Sequence, residues 1–159
     1  MILSRWVHGT KDFDAVRALR TAVFVGEQGI DEAVEFDGFD QYAMHVVAYN
    51  GDQPAGTGRL YFDGEAFRIG RICVRKEMRG QKIGDMIVRL LLDRALNVNA
   101  PRIRVHACPA LCTFYGKFGF VATGEPFVED DREVIPMEVL AKDVLFPRAC
   151  GCNDNSGGK

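Results

Sequence analysis

From Val74 to Asp85 the chain reads Val-Arg-Lys-Glu-Met-Arg-Gly-Gln-Lys-Ile-Gly-Asp. Arg75, Lys76, Arg79 and Lys82 supply positive charge, and Gly80 and Gly84 let backbone approach a bound group closely. An apolar run ends at Val74 and a helical pattern continues through Leu96, so the basic residues stand where a strand hands over to a helix. A helix start leaves its first N–H groups unpaired and carries roughly half a positive charge. The chemistry this predicts is anion binding.

Other residues with chemical potential are more scattered. Glu27, Asp31, Glu32, Glu35, Asp37 and Asp40 lie in an acidic, glycine-punctuated stretch that reads as a surface loop or short helix. Two readings of it stand side by side: a solvated face, or a cation-binding substrate rim. His45 sits among apolar neighbours in a strand and is expected to pack there. The five cysteines (73, 108, 112, 150 and 152) form no C-x-x-C pair, and the histidines (8, 45 and 106) are far apart, so no metal site is expected. Gly56 opens a partial match to a dinucleotide-binding G-x-G-x-x-G, but Tyr61 fills the third glycine position and would obstruct close helix–strand approach.

The elements that must position these groups follow from periodicity. Strands are expected over Ile2–His8, Met44–Tyr49, Pro54–Phe62, Ala66–Val74, Arg102–Ala107, Phe120–Thr123 and Glu133–Leu140. Asn50-Gly51 and Asp63-Gly64 mark turns. One helix is expected from a cap at Thr10 or Asp12 to about Phe24, and a short one over Ala110–Lys117 behind Pro109. In the helix after the basic loop, Ile83, Ile87, Leu90 and Leu91 face away from a polar stripe of Lys82, Asp85, Arg89 and Asp93, so it must lie on a sheet. The strand–helix–strand unit around it requires a parallel, right-handed crossover. The fold class is therefore α/β (α+β), with a mixed, mostly antiparallel sheet and helices on both faces.

Composition narrows the function classes. The chain has 159 residues, a hydrophobic fraction of 47%, a charged fraction of 26% and a net charge of -2. These values fit a soluble domain over 1–145, with a polar tail over 146–159, and give no global attraction to nucleic acid or to an anionic membrane. No apolar run suits a signal peptide or a membrane span, and unpaired cysteines suit the cytoplasm.

Arg79-Gly-Gln-Lys-Ile-Gly84 resembles the R-x-x-G-x-G/A segment of the GCN5-related N-acetyltransferases, and Phe114-Tyr-Gly-Lys-Phe-Gly-Phe120 is similar to that family's F-Y-x-x-x-G-F signature. Phe24-Val-Gly-Glu-Gln28, Glu35-x-Asp37-x-x-Asp40 and Gly70-Arg71 look like a bacterial subgroup of uncharacterised members, so the likeness spans Trp6 to about Val139. The resemblance implies a GNAT-like fold in which parallel strands ending at Val74 and Ala107 splay to admit acetyl-coenzyme A. Backbone of Ile72, Cys73 and Val74 would pair with the pantetheine arm. Arg79, Gly80, Gln81, Lys82, Ile83, Gly84 and Asp85 would cradle the pyrophosphate, with Phe114 beside the cofactor.

Tyr115 would protonate the departing thiolate, and Glu27 and Glu35 are the candidate bases, although surface solvation accounts for both equally well. Two departures from the family pattern stand out: Lys82 replaces the first glycine of the G-x-G pair, and Val134 stands where related sequences carry a histidine before the methionine at 137. The implied function is direct acetyl transfer from acetyl-coenzyme A to a primary amine of a small molecule or peptide, cationic if the acidic stretch is a rim, with a homodimer as one assembly it allows. The rival is a non-catalytic acyl-coenzyme A-binding regulatory module, favoured by Lys82 and the unassigned base and opposed by Tyr115. Cys73 and Cys108 are expected to be inert thiols.

Overall fold

The computed structural model describes residues 1–148. Most of the expected polar tail, from residue 149 onward, lies outside them. Eight strands form the framework: β1 (Ile2–His8), β2 (Met44–Asn50), β3 (Gln53–Phe62), β4 (Phe67–Val74), β5 (Arg102–Ala107), β6 (Val121–Ala122), β7 (Phe127–Glu129) and β8 (Arg132–Leu140). The main path runs β1-β2-β3-β4-β5-β8-β6, with β7 paired to β8 beside it. Every pairing is antiparallel except β4 with β5.

The helices are α1 (Asp14–Arg20), α2 (Glu32–Glu35), α3 (Ile83–Asn97) and α4 (Cys112–Gly116). Successive side chains of β2 show that helices cover both faces. Val46 and Ala48 pack with Ile87, Leu91 and Leu92 of α3, whereas Val47 packs with Val16 and Leu19 of α1. The two glycines in β3 are explained by the same packing. A Cβ at Gly58 would lie 2.8 Å from the Ile87 side chain and 2.9 Å from Leu91, and one at Gly56 would lie 2.8 Å from the Cys73 carbonyl. Glycine there lets α3 sit close on the sheet.

Two features shape the region behind the basic loop. β4 pairs with β5 at only three positions, Phe67–Ile69 with Ile103–Val105, and beyond them both strands continue without pairing to each other. On its other edge β4 shifts register against β3 between Thr57 and Arg59, and Arg71 takes φ 50°, so β4 carries a bulge where the two parallel strands part.

Three expectations are corrected. The helix expected to reach Phe24 is α-helical only to Arg20 and then winds as a π-helix over Thr21–Glu27. Val23, Val25 and Gly26 are weak α-formers, and the wider winding keeps Val23 and Phe24 in the core. The acidic stretch is not a surface loop throughout: Glu35 is fully buried and Asp40 is 3% exposed. A further strand, β7, forms a hairpin with β8 through Asp130 and Asp131, both left-handed (φ 51° and 59°) as a two-residue type I′ turn requires.

Candidate active site

The acidic stretch feeds a buried charge network. Arg20 donates through Nε to Glu35 Oε2 (3.1 Å), through Nη1 to Asp40 Oδ1 (2.7 Å) and through Nη2 to the Glu35 carbonyl (2.8 Å). Arg59 donates to Asp37 Oδ1 (2.7 Å) and Asp40 Oδ1 (2.8 Å). Arg71 reaches Glu35 Oε2 (2.9 Å) and Asp37 Oδ2 (3.2 Å), and Arg132 reaches Glu35 Oε1 (3.3 Å). Burial pushes the Asp37 carboxyl up, but the bond from Arg59 and the charges of Arg59 and Arg71 outweigh it and leave the group below the usual carboxylate range. Glu35, expected as a base on the surface, thus has both oxygens engaged by three guanidiniums. Glu35, Asp37 and Asp40 are neither a solvated face nor a rim for cations, because arginines of the chain itself occupy them.

Where β4 and β5 part, a cavity of about 560 Å³ opens. Ile72 of β4, Val105 of β5, Phe24 of the π-helix and Tyr115 of α4 line it. Tyr115 is 4% exposed, with the rings of Phe114 and Phe120 at 5.3 and 5.8 Å in edge-on contact. Burial pushes its phenol well above the usual tyrosine range, so the side chain keeps its proton.

The cavity also holds a pair that the sequence reading passed over. His106 Nδ1 lies 2.7 Å from Arg68 Nη2 and 2.8 Å from Glu129 Oε2. One nitrogen cannot accept from Arg68 and donate to Glu129 at once. A ring protonated only on Nε2 accepts from Arg68; a ring carrying a proton on Nδ1 donates to Glu129. The bond to His106 is also the main reason that the Glu129 carboxyl sits below the usual range. The wide spacing of the histidines argues only against a metal site and gives His106 no other role, and its partner lies on β7, the strand not expected.

The basic loop lines a second cavity of about 420 Å³ with Val74, Gly80, Lys82, Gly84, Asp85 and Phe114. α3 starts here with no side chain capping its first N–H groups. A Cβ at Gly84 would meet only a Val74 methyl, at 3.9 Å, and one at Gly80 would meet nothing within 4 Å. The chain's own packing therefore leaves the space above both glycines open. Gln81 is exposed, while Ile83 is 2% exposed and belongs to the core under α3.

Arg79 donates both to Glu27 (2.9 and 3.0 Å) and to the Val74 carbonyl (3.0 Å), so two expected site residues pair with each other at the loop. Asp85 is held by Arg89 at 2.6 Å. The Cys73 side chain packs with the α1 core, and burial, with Glu35 adding to it, pushes its thiol up to about 12, so only its backbone is available to a ligand.

Lys82 takes a left-handed conformation, φ 62° and ψ 25°, at the start of α3. A side chain there costs about 1–2 kcal/mol, which accounts for a glycine preference at such a position. Replacing Lys82 by Gly removes that strain but adds unfolded-state entropy worth about 0.4–1 kcal/mol. Lys82→Gly is therefore expected to stabilise the fold by about 0.5–1 kcal/mol in denaturant titration. A destabilised variant would show that the lysine side chain contributes more than its backbone strain removes.

Comparison with known proteins gives one consistent result. A family model described as an acetyltransferase (GNAT) domain matches residues 14–141. The uncharacterised protein YyaT of Bacillus subtilis (strain 168) is 31% identical over 136 residues, which is 84% of this chain and 90% of YyaT. The crystal structure of ElaA from Escherichia coli superposes with a TM-score of 0.78 at 27% identity, covering 87% of this chain and 99% of ElaA. An acyl-CoA N-acyltransferase from Pseudomonas aeruginosa superposes at 0.76 with 28% identity, covering 87% and 99%.

Proposed function

The chain belongs to the GNAT acetyltransferase family, and from that premise we propose that it transfers an acetyl group from acetyl-coenzyme A directly to a primary amine of a small molecule or peptide. One observation carries this reading: the ends of β4 and β5, which do not pair with each other, open on to the cavity that holds Tyr115, while the basic loop and α3 start follow directly from Val74. The open space above Gly80 and Gly84 and the uncapped start of α3 suit a pyrophosphate.

Acetyl-coenzyme A supplies the electrophile, a thioester whose thiolate leaves. Backbone of Ile72, Cys73 and Val74 pairs with the pantetheine arm, and an N–H near Val74 polarises the carbonyl. N–H groups from Arg79 to Asp85 hold the pyrophosphate, with charge from Lys82. Tyr115 delivers a proton to the departing sulfur. An alkylammonium of pKa about 10 costs about 4 kcal/mol to deprotonate at neutral pH, so a base is worth having. His106 fits that role better than Glu35, whose oxygens are taken, or Glu27, which is spent on Arg79. With Nδ1–H donated to Glu129, Nε2 keeps the lone pair that takes the proton, and Glu129 stabilises the imidazolium. A cytoplasmic location and a homodimer belong to the same reading.

Incubation with acetyl-coenzyme A and a panel of amines, following free thiol, tests it. Thiol release that depends on one class of amine is expected. Tight coenzyme A binding by calorimetry with no release from any amine would instead establish the regulatory module.

A further inference from the structure

The polar lining of the Tyr115 cavity is unusual in one respect. Four arginines face it, Arg59, Arg68, Arg71 and Arg132, and three of these have a buried Nε with no hydrogen-bond partner among the described residues: Arg59, Arg68 and Arg132. Only one other buried side-chain nitrogen or oxygen, His45 Nδ1, is similarly unpartnered there. Each Nε is sealed from solvent, so the donors that a ligand in the cavity can meet are the guanidinium Nη groups beside them.

The charges point the same way. Glu35, Asp37 and Asp40 serve four guanidiniums between them, those of Arg20, Arg59, Arg71 and Arg132. Arg71 finds a further carboxylate only at the rim, in the exposed Asp130 at 3.7 Å. Arg132 lies over the Phe24 ring at 5.1 Å, and its ion pair, at 3.3 Å, is to a carboxylate already shared by two other arginines. Arg68 has no carboxylate nearer than 3.9 Å. A ligand carboxylate, with two oxygens that can each accept twice, meets this donor excess.

The other end of the ligand is constrained as well. Arg68 Nη2 is 2.7 Å from His106 Nδ1, so the carboxylate-binding group and the proposed base are in direct contact. That closeness fits an amine and a carboxylate on the same or neighbouring carbons. Glu129, Asp130 and Glu133 of the β7–β8 hairpin also line the cavity; they favour an incoming ammonium and disfavour a dianion such as a phosphate ester.

We propose that the acceptor is an amino acid, whose carboxylate is held by Arg68 and Arg132 while its amine meets His106 and Glu129. The proposal rests on the acetyltransferase reading, and it replaces the purely cationic acceptor suggested by the acidic stretch.

The test uses the L-amino acids, their carboxamides and the corresponding decarboxylated amines as acceptors for the full chain. Amino acids are expected to give a kcat/KM about tenfold to a hundredfold above the carboxamides, the ratio set by charged hydrogen bonds. Arg132→Gln and Arg68→Gln are each expected to raise KM for the amino acid by about tenfold, with Arg132→Lys intermediate and KM for acetyl-coenzyme A within twofold of the parent. Two sites are substituted separately so that a folding defect in one, seen in its thermal melt, leaves the other to decide.

Carboxamides or decarboxylated amines used as well as amino acids, with thiol released, would overturn the acceptor class and leave the transferase standing. No thiol from any amine would overturn the transferase. Calorimetry of the amino acids in the presence of coenzyme A then decides the site by itself: binding lost in Arg132→Gln retains it, and no binding to the parent chain removes it.

Discussion

Glu35→Gln is expected to destabilise the protein by about 3–5 kcal/mol, the loss characteristic of removing one partner from a buried ion pair. The shape of the side chain survives this substitution, so the loss isolates the charge. Glu35 is fully buried and its two oxygens lie within 3.3 Å of Arg20, Arg71 and Arg132, which come from α1, β4 and β8. Without its charge, three guanidiniums share Asp37 and Asp40 with Arg59. Neither can reorient to serve them, since Asp40 already bridges Arg20 and Arg59, and Asp37 bridges Arg59 and Arg71. For a chain of this size the loss corresponds to a fall in Tm of about 6–20 °C. The denaturant midpoint should move with the slope unchanged.

The half-exposed pair Asp85–Arg89, four residues apart on α3, is a useful scale, because such pairs contribute only about 0.3–0.5 kcal/mol. A loss at Glu35 of that size would mean that water replaces its carboxylate among the arginines, and that the network does not tie α1, β4 and β8 together.

This network shows where sequence reading reaches its limit. The hexad from Glu35 to Asp40 has the same composition whether it is solvated or buried, and what decides is its partners. Those lie 15 residues away at Arg20, 36 at Arg71 and 97 at Arg132. No local periodicity couples such distances. The strands and α3 were legible because their signal is local: β2 alternates under two helices, and Ile83, Ile87 and Leu91 repeat at helical spacing. The basic loop and the Phe114-Tyr115 pair were legible for the same reason, being contiguous.

The β7–β8 hairpin was not, because its left-handed turn is built from Asp130 and Asp131 without the glycine that usually marks such turns. With it went Glu129, and with Glu129 went any reason to look at His106. The resemblance raised Lys82 as a departure, and the structure assigns the physical term: the position is left-handed, so the lysine is a conformational expense before it is a steric one.

The expense also has a place in the site. Lys82 and Arg79 stand at the mouth of the second cavity, and Arg79 is already neutralised by Glu27. If both cations were spent on carboxylates of the chain, the loop would lose the field that the proposed pyrophosphate site needs. A lysine at position 82 restores one positive charge at the helix start, where the helix dipole has the same sign and adds to it.

Tyr115→Phe should lower kcat by about a hundredfold while leaving KM for acetyl-coenzyme A within twofold. General-acid terms run from about 10² to 10⁴, and the low end applies because a thiol near pKa 8.5 is a fair leaving group without help. The ring stays, and with it the edge-on contacts to Phe114 and Phe120 that hold α4 against the sheet, so binding and stability should change little. Burial keeps the phenol protonated far into alkaline solution. A fall in activity at high pH therefore cannot come from Tyr115 itself, and Tyr115→Phe should show the same alkaline limb as the parent at lower amplitude. His106→Asn makes the contrast, because loss of the base should hurt most where the acceptor is an ammonium and recover as pH rises toward the amine's own pKa. Measured over the same pH range, the two variants separate proton delivery to sulfur from proton removal at nitrogen. A Tyr115→Phe rate within twofold of the parent would assign the first of these to water and leave Tyr115 as a packing residue of α4.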